Sequence, residues 1–135
     1  MTLNLTIKGA PATKKNHGQI ITMPNGRKVL LPSPQFKAYS KTFFPQVPKD
    51  ARMNIDMPCN LKCVYYMPTK RKVDLVNLLE ATCDLLVGTH VLKDDCSAIV
   101  ASHDGSRVRY DKAKPRVEIE IRPVAEGKDE AGQPV

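Results

Sequence analysis

Tryptophan is absent, and aromatic residues make up only 5% of the chain. The core therefore has to rest on leucine, valine and isoleucine. No apolar run approaches the roughly 20 residues that a membrane-spanning helix needs. The opening MTLNLTIKGA has no long apolar stretch and no cleavage site, so a secretory leader is not expected. The four cysteines, Cys59, Cys63, Cys83 and Cys96, form no CxxC pair, and no histidine pairs follow at zinc-finger spacing. They are expected to be reduced thiols of a cytoplasmic protein, with a structural zinc site as the lesser alternative. No internal repeat is visible, which argues against solenoid and propeller architectures.

What is present suits one folded domain. The chain has 135 residues, of which 41% are hydrophobic. That is ordinary globular composition with room for a single core. Residues 1–125 are read as the domain, and residues 126–135 as a polar tail expected to be disordered. Lys and Arg number 21 against 14 Asp and Glu, giving a net charge of +7. Such an excess favours polyanions through counterion release, and nucleic acid is the leading partner class. A merely soluble surface is the plainer alternative.

LNLTIKG alternates Leu3, Leu5 and Ile7 as a strand does. QIITMPNGRKVLLP reads as a hairpin around Pro24-Asn25-Gly26. SPQFKAYSKTFF reads as a helix with Ser33 as cap and Pro34 in its first position, stopped by Pro45 and Pro48. NLKCVYYMP is a strand with Leu61, Cys63 and Tyr65 on one face. A main helix is expected from about Val73 to Val87, on the spacing of Leu75, Leu78, Leu79, Cys83, Leu86 and Val87. Asp74 suits its cap or first turn and Gly88 its end. CSAIVASHDG holds a strand ending at Asp104-Gly105. SRVRYD continues that strand or pairs with it. PRVEIEIRP alternates most cleanly of all. The order predicts an α+β fold: a single small domain with a mixed β-sheet and helices packed on one face.

The acids are gathered. Asp74 stands at the start of the main helix, and Asp94 and Asp95 stand just before the next strand. Carboxylates brought together are hard oxygen ligands suited to Mg²⁺ or Mn²⁺. Such ions promote phosphodiester cleavage, and a basic surface around them would hold the nucleic acid. Ordinary structure accounts for the same residues differently, Asp74 as a helix cap and Asp94-Asp95 as turn residues.

RKVDLVNLLEATCDLLVGTHVLKDD, followed by SHDGSRVRYDKAKPRVEIEI, resembles the RusA family of Holliday junction resolvases. IKGAPATKKN is similar to that family's opening strand and its Pro- and Lys-bearing loop. The resemblance implies a small dimeric endonuclease, often encoded by phages or prophages, that uses Mg²⁺ or Mn²⁺ to cut four-way DNA junctions by paired symmetric nicks. The family's helix start reads Asp-x-Asp-Asn, with a Lys three residues after the Asn. Asp74 and Asn77 match the first acid and the Asn, and Asp95 matches the downstream catalytic acid, with Asp94 beside it. Val76 stands in place of the second acid and Glu80 in place of the Lys. Positions 76 and 80 are one helical turn apart, and helical side chains lean toward the N-terminus. Glu80 is thus able to reach over Val76 and restore the acid count. A solvent-facing or ion-pairing Glu80 is the alternative.

The resemblance implies Asp74 and Asp95 as catalytic residues and metal ligands, with Asp94 as a further ligand and Asn77 in support; the helix spacing adds Glu80 as a catalytic residue and metal ligand. Lys14, Lys15 and Asn16, and the run Lys70, Arg71 and Lys72, are the expected phosphate contacts. Arg107, Arg109 and Lys112 extend that surface. Asp84 is expected to face solvent. His103 is open to a functional role, although a turn explains its neighbour Asp104. Tyr65 or Tyr66 could stack on a base, with at least one of them in the core. The rival readings are a branched-DNA-binding protein that no longer cuts, and a small basic structural protein.

Overall fold

The computed structural model describes residues 2–14, 19–31 and 33–124. Lys15, Asn16, His17 and the segment 125–135 lie outside these residues, so the DNA-contact reading of Lys15 and Asn16 and the tail reading fall there too. Strand β1 (Leu3–Lys8) is followed by a hairpin, β2 (Gln19–Thr22) and β3 (Lys28–Leu31). Helix α1 (Pro34–Gln46) leads through a short 3-10 turn at Lys49–Ala51 to strand β4 (Cys59–Met67). Helix α2 (Leu75–Gly88), β5 (Val100–Ser102), β6 (Arg107–Tyr110) and β7 (Arg116–Pro123) complete the order. This is the mixed-sheet α+β domain that the patterning predicts.

β7 lies between β1 and β4 and is antiparallel to both. On its other edge β4 carries β5 and then β6, each parallel to it. The two long registers put the apolar positions on one face. Leu5, Ile7, Leu61, Cys63, Tyr65, Val117, Ile119 and Ile121 are buried there beneath both helices. Phe36, Tyr39 and Phe43 come from α1, and Leu78, Ala81, Leu85 and Leu86 from α2. Each large side chain so removed from water contributes about 1.5–3 kcal/mol. The opposite face stays partly open, with Lys62, Glu118 and Glu120 half-buried across it.

Both helix starts follow their caps. The Ser33 hydroxyl accepts the Phe36 N–H at 3.1 Å, and Pro34 occupies the first turn. Pro45 does not stop α1 but sits inside its last turn, and the helix ends at Gln46 before Val47 and Pro48. The end of α2 also differs from expectation. Gly88 remains helical, and the left-handed position is taken by His90 at φ 64°. The Val91 N–H reaches the Leu86 carbonyl at 2.9 Å and the His90 N–H reaches the Val87 carbonyl at 3.0 Å. This is the Schellman pair of bonds, with buried Leu86 and Val91 as its apolar contact. Gly88 faces the ring of Phe44 on α1, and a Cβ there would meet it at 3.5 Å, an ordinary contact distance.

The junction between β5 and β6 is held by one buried amide. Asn60 Oδ1 accepts the Asp104 N–H at 2.8 Å and the Ser102 hydroxyl at 2.6 Å, and its Nδ2 donates to the Asp104 carbonyl at 3.1 Å. Among the described residues no helix is long and apolar enough to cross a membrane.

Candidate active site

β4 runs into the segment Pro68–Val73, which delivers Asp74 to the start of α2. Asp74 is the N-cap, in extended conformation, and its Oδ1 accepts the Val76 N–H at 3.0 Å. The cap reading is therefore correct, and it engages one carboxylate oxygen of an exposed side chain. Val76 is 68% exposed, an apolar residue in open solvent in the first turn. Glu80 is exposed and Asn77 half-buried. Val76, Glu80 and Asp84 recur every four residues and form one stripe along the helix.

After α2 the chain doubles back. Leu92 bridges to Ile55, the Lys93 N–H donates to the Ile55 carbonyl at 3.0 Å, and Lys93 pairs with Asp56. Asp94 turns inward on its own loop, its Oδ1 accepting the Asp95 N–H at 2.8 Å. The thiol of Cys83, buried on α2, records where Asp95 goes. Burial first, then the charges of Asp95 and Asp84, then Cys59 and last Glu80 push this thiol up to about 12. Asp95 thus returns to the stretch of α2 that bears Glu80 and Asp84. Asp74 stands about 9 Å further along the axis from the level of Glu80, at 1.5 Å per residue.

The predicted acids are therefore not one cluster. Asp95 and Glu80 are brought to a common region with Asp84, Asp74 lies at the helix start, and Asp94 closes its turn. Among the described residues no three His, Cys, Asp or Glu side chains converge as a metal-holding group. The donor chemistry fits Mg²⁺ or Mn²⁺ all the same. Mg²⁺ is commonly held by one or two carboxylates, with water and substrate phosphate filling the remaining positions.

The cations come from two directions. Lys14, on the loop after β1, forms an ion pair with Asp84 and lies 5.6 Å from the centre of the Phe36 ring. Asp84 is thus half-buried and paired, where the sequence reading placed it in solvent. Lys70 lies 5.3 Å from the centre of the Tyr110 ring. Arg71 and Lys72 are exposed and border a groove of about 370 Å³ whose walls include Pro11, Met67, Pro68 and Val73. The basic run thus forms part of the segment that leads to Asp74, and Lys14 stands beside α2 at Asp84.

Other candidates resolve into structure. His103 Nδ1 lies 2.9 Å from the Leu61 carbonyl and helps fasten the turn between β5 and β6. Tyr65 is fully buried, its hydroxyl 2.7 Å from that of Thr82. Tyr66 is covered by the Arg116 guanidinium, 3.8 Å from its ring centre. All four cysteines are free thiols, and only Cys96 is exposed. Tyr110 gains a significance that sequence reasoning did not give it, and Asp84, weighed as a support of the site but placed in solvent, changes its surroundings. Asp84 carried a usable signal, its spacing of four from Glu80. Tyr110 carried none, because its placement depends on how β6 pairs.

A family model described as Endodeoxyribonuclease RusA matches residues 6–122. No curated protein matches the chain.

Proposed function

Because the chain belongs to the RusA endodeoxyribonuclease family, we propose that it resolves four-way DNA junctions by paired nicks, as a homodimer dependent on Mg²⁺ or Mn²⁺. The family is one of hydrolases of DNA phosphodiester bonds; the substrate, the ion and the assembly are this reading's own. The observation that carries it is the family match over residues 6–122 of a chain of net charge +7, with Asp74 exposed at the start of α2.

Asp95 and Glu80 would hold the divalent ion, with Asp74 and Asp94 as the further carboxylates within this part of the chain. When bound, such an ion lowers the pKa of water and stabilises the leaving oxygen of a phosphodiester. Lys70, Arg71 and Lys72 bind phosphate beside the start of α2, and Lys14, paired with Asp84, does so further along the helix. Their charge fixes the position of the backbone without reading its sequence. Asn77, three residues after Asp74, shares its side of the helix and supports it. Two copies related by two-fold symmetry present equivalent sites to the equivalent strands of a junction.

The test is cleavage of a synthetic four-way junction with Mg²⁺ or Mn²⁺, beside linear duplex. Paired nicks that require the ion are expected, with at least a hundredfold loss in Asp74→Asn, on the order of magnitude that removal of a key electrostatic group produces. Glu80→Ala should lose ion binding and cleavage together; unchanged cleavage in that variant removes Glu80 from the site. Exposed Val76 favours a second reading, a branched-DNA binder that does not cut. Tight, salt-sensitive junction binding without nicks selects it.

A further inference from the structure

The chain has four tyrosines and three phenylalanines, and the structure uses nearly all of them internally. Phe36, Tyr39, Phe43 and Tyr65 are buried. Tyr66 lies under Arg116. Phe44, although 42% exposed, has its ring against Gly88, where it joins the two helices. Tyr110 remains, 46% exposed on the edge strand β6.

Its position is specified by the sheet. Met67 pairs with Tyr110 in parallel register, and the Asp111 N–H donates to the Met67 carbonyl at 2.9 Å. Tyr110 is therefore level with the end of β4, the end from which the chain passes through Lys70, Arg71 and Lys72 to Asp74. Side chains alternate along a strand, and partners in a parallel ladder share a face. Val108 and Tyr110 thus lie on the face of Tyr65 and Met67, which is the face that carries α2. Among the described residues no helix covers this edge, and Val108 is also exposed, at 37%. The Lys70 ammonium stands over the tyrosine ring, and Arg109 is adjacent and exposed.

An exposed ring with the Lys70 ammonium over it, beside candidate phosphate contacts, has the chemistry of a base-stacking platform. The ring offers a flat apolar face to a nucleobase while the cations meet its phosphates. We propose that Tyr110, together with Lys70, stacks on an unpaired nucleobase and so directs the chain to DNA with exposed bases, such as a branch point. Duplex DNA hides its base faces and gains nothing from the ring. This rests on the DNA-binding part of the function proposed above and deepens it by naming the feature of the substrate that is recognised.

The experiment compares wild type, Tyr110→Ala and Tyr110→Phe for binding to three probes: a single strand carrying 2-aminopurine, the four-way junction and linear duplex. Thermal melting confirms that each variant is folded. Tyr110→Ala should weaken binding to the single strand and the junction about tenfold, leave duplex binding within about twofold, and abolish the fluorescence change of the stacked 2-aminopurine. Tyr110→Phe, which keeps the ring, should match wild type. The proposal is overturned by a Tyr110→Ala variant that binds all probes as wild type does or loses all three equally. It is also overturned if Tyr110→Phe fails as badly as Tyr110→Ala, which would make the hydroxyl the working group. A wild type that binds junction no better than duplex refutes the branched-DNA reading alone, and the single-strand arm still decides the role of Tyr110. A wild type that binds no single strand overturns the platform.

Discussion

Cys63 lies on the buried face of β4, between Leu61 and Tyr65, with no exposed surface. Burial pushes its thiol up to about 12, with the Tyr65 hydrogen bond opposing the shift and Cys83 adding to it. Cys83 is raised similarly. A raised folded-state value means that the stabilisation is complete below the ordinary thiol pKa and is lost as pH rises toward the folded one. Below about pH 8.5 both states hold the proton. Above it only the unfolded chain releases it, so stability falls by about 1.4 kcal/mol per pH unit for each such thiol. Urea unfolding in reducing buffer at pH 7, 9 and 10 should show this decline, and Cys63→Ala should reduce its slope by up to about 1.4 kcal/mol per pH unit, while Cys83 and Cys59, the latter also raised by burial, keep their share. The slope is the test, because the cavity left by the variant shifts stability at every pH. An unchanged slope would place the thiol in contact with water.

At the scale of elements, the end of α2 carries a removable cost. His90 occupies the left-handed position of the Schellman pair at φ 64°, where a side chain is disfavoured by about 1 kcal/mol. His90→Gly is expected to stabilise the fold by up to that amount, a rise of a few degrees in Tm, reduced by the greater freedom of glycine in the unfolded chain. A fall in Tm would mean that the imidazole makes a contact worth more than the strain. The same turn shows what the sequence disclosed. A glycine at 88 was a sound stop signal by local propensity, and α2 does end there, but the left-handed residue that closes the turn is His90. The strands were legible because Val117, Ile119 and Ile121 answer Leu61, Cys63 and Tyr65 with strict alternation. The pairing of β6 with β4 was not, since parallel partners are distant in sequence and leave no local pattern. The acids followed the same division. Asp74 was readable as a cap because capping is local. The return of Asp95 toward Glu80 depends on the tie of residues 90–93 to 54–55, which no motif announces.

For the whole molecule, paired nicking requires two sites at once. Light scattering after size exclusion should give twice the chain mass of 15.0 kDa, and a mass of one chain at assay concentration would leave paired nicks without a physical basis. The sheet order carries a consequence in time. β1 is made first and β7 last, yet they are neighbours, and β7 is the strand that links β1 to β4. On a ribosome, every carboxylate from Asp74 to Asp95 exists before the strand that completes their support has been synthesised. Contacts of such long sequence separation form slowly. The nascent chain therefore carries its acids unmounted until its last strand is made, and the sheet closes in one late step, when Arg116–Pro123 slides between two strands already waiting.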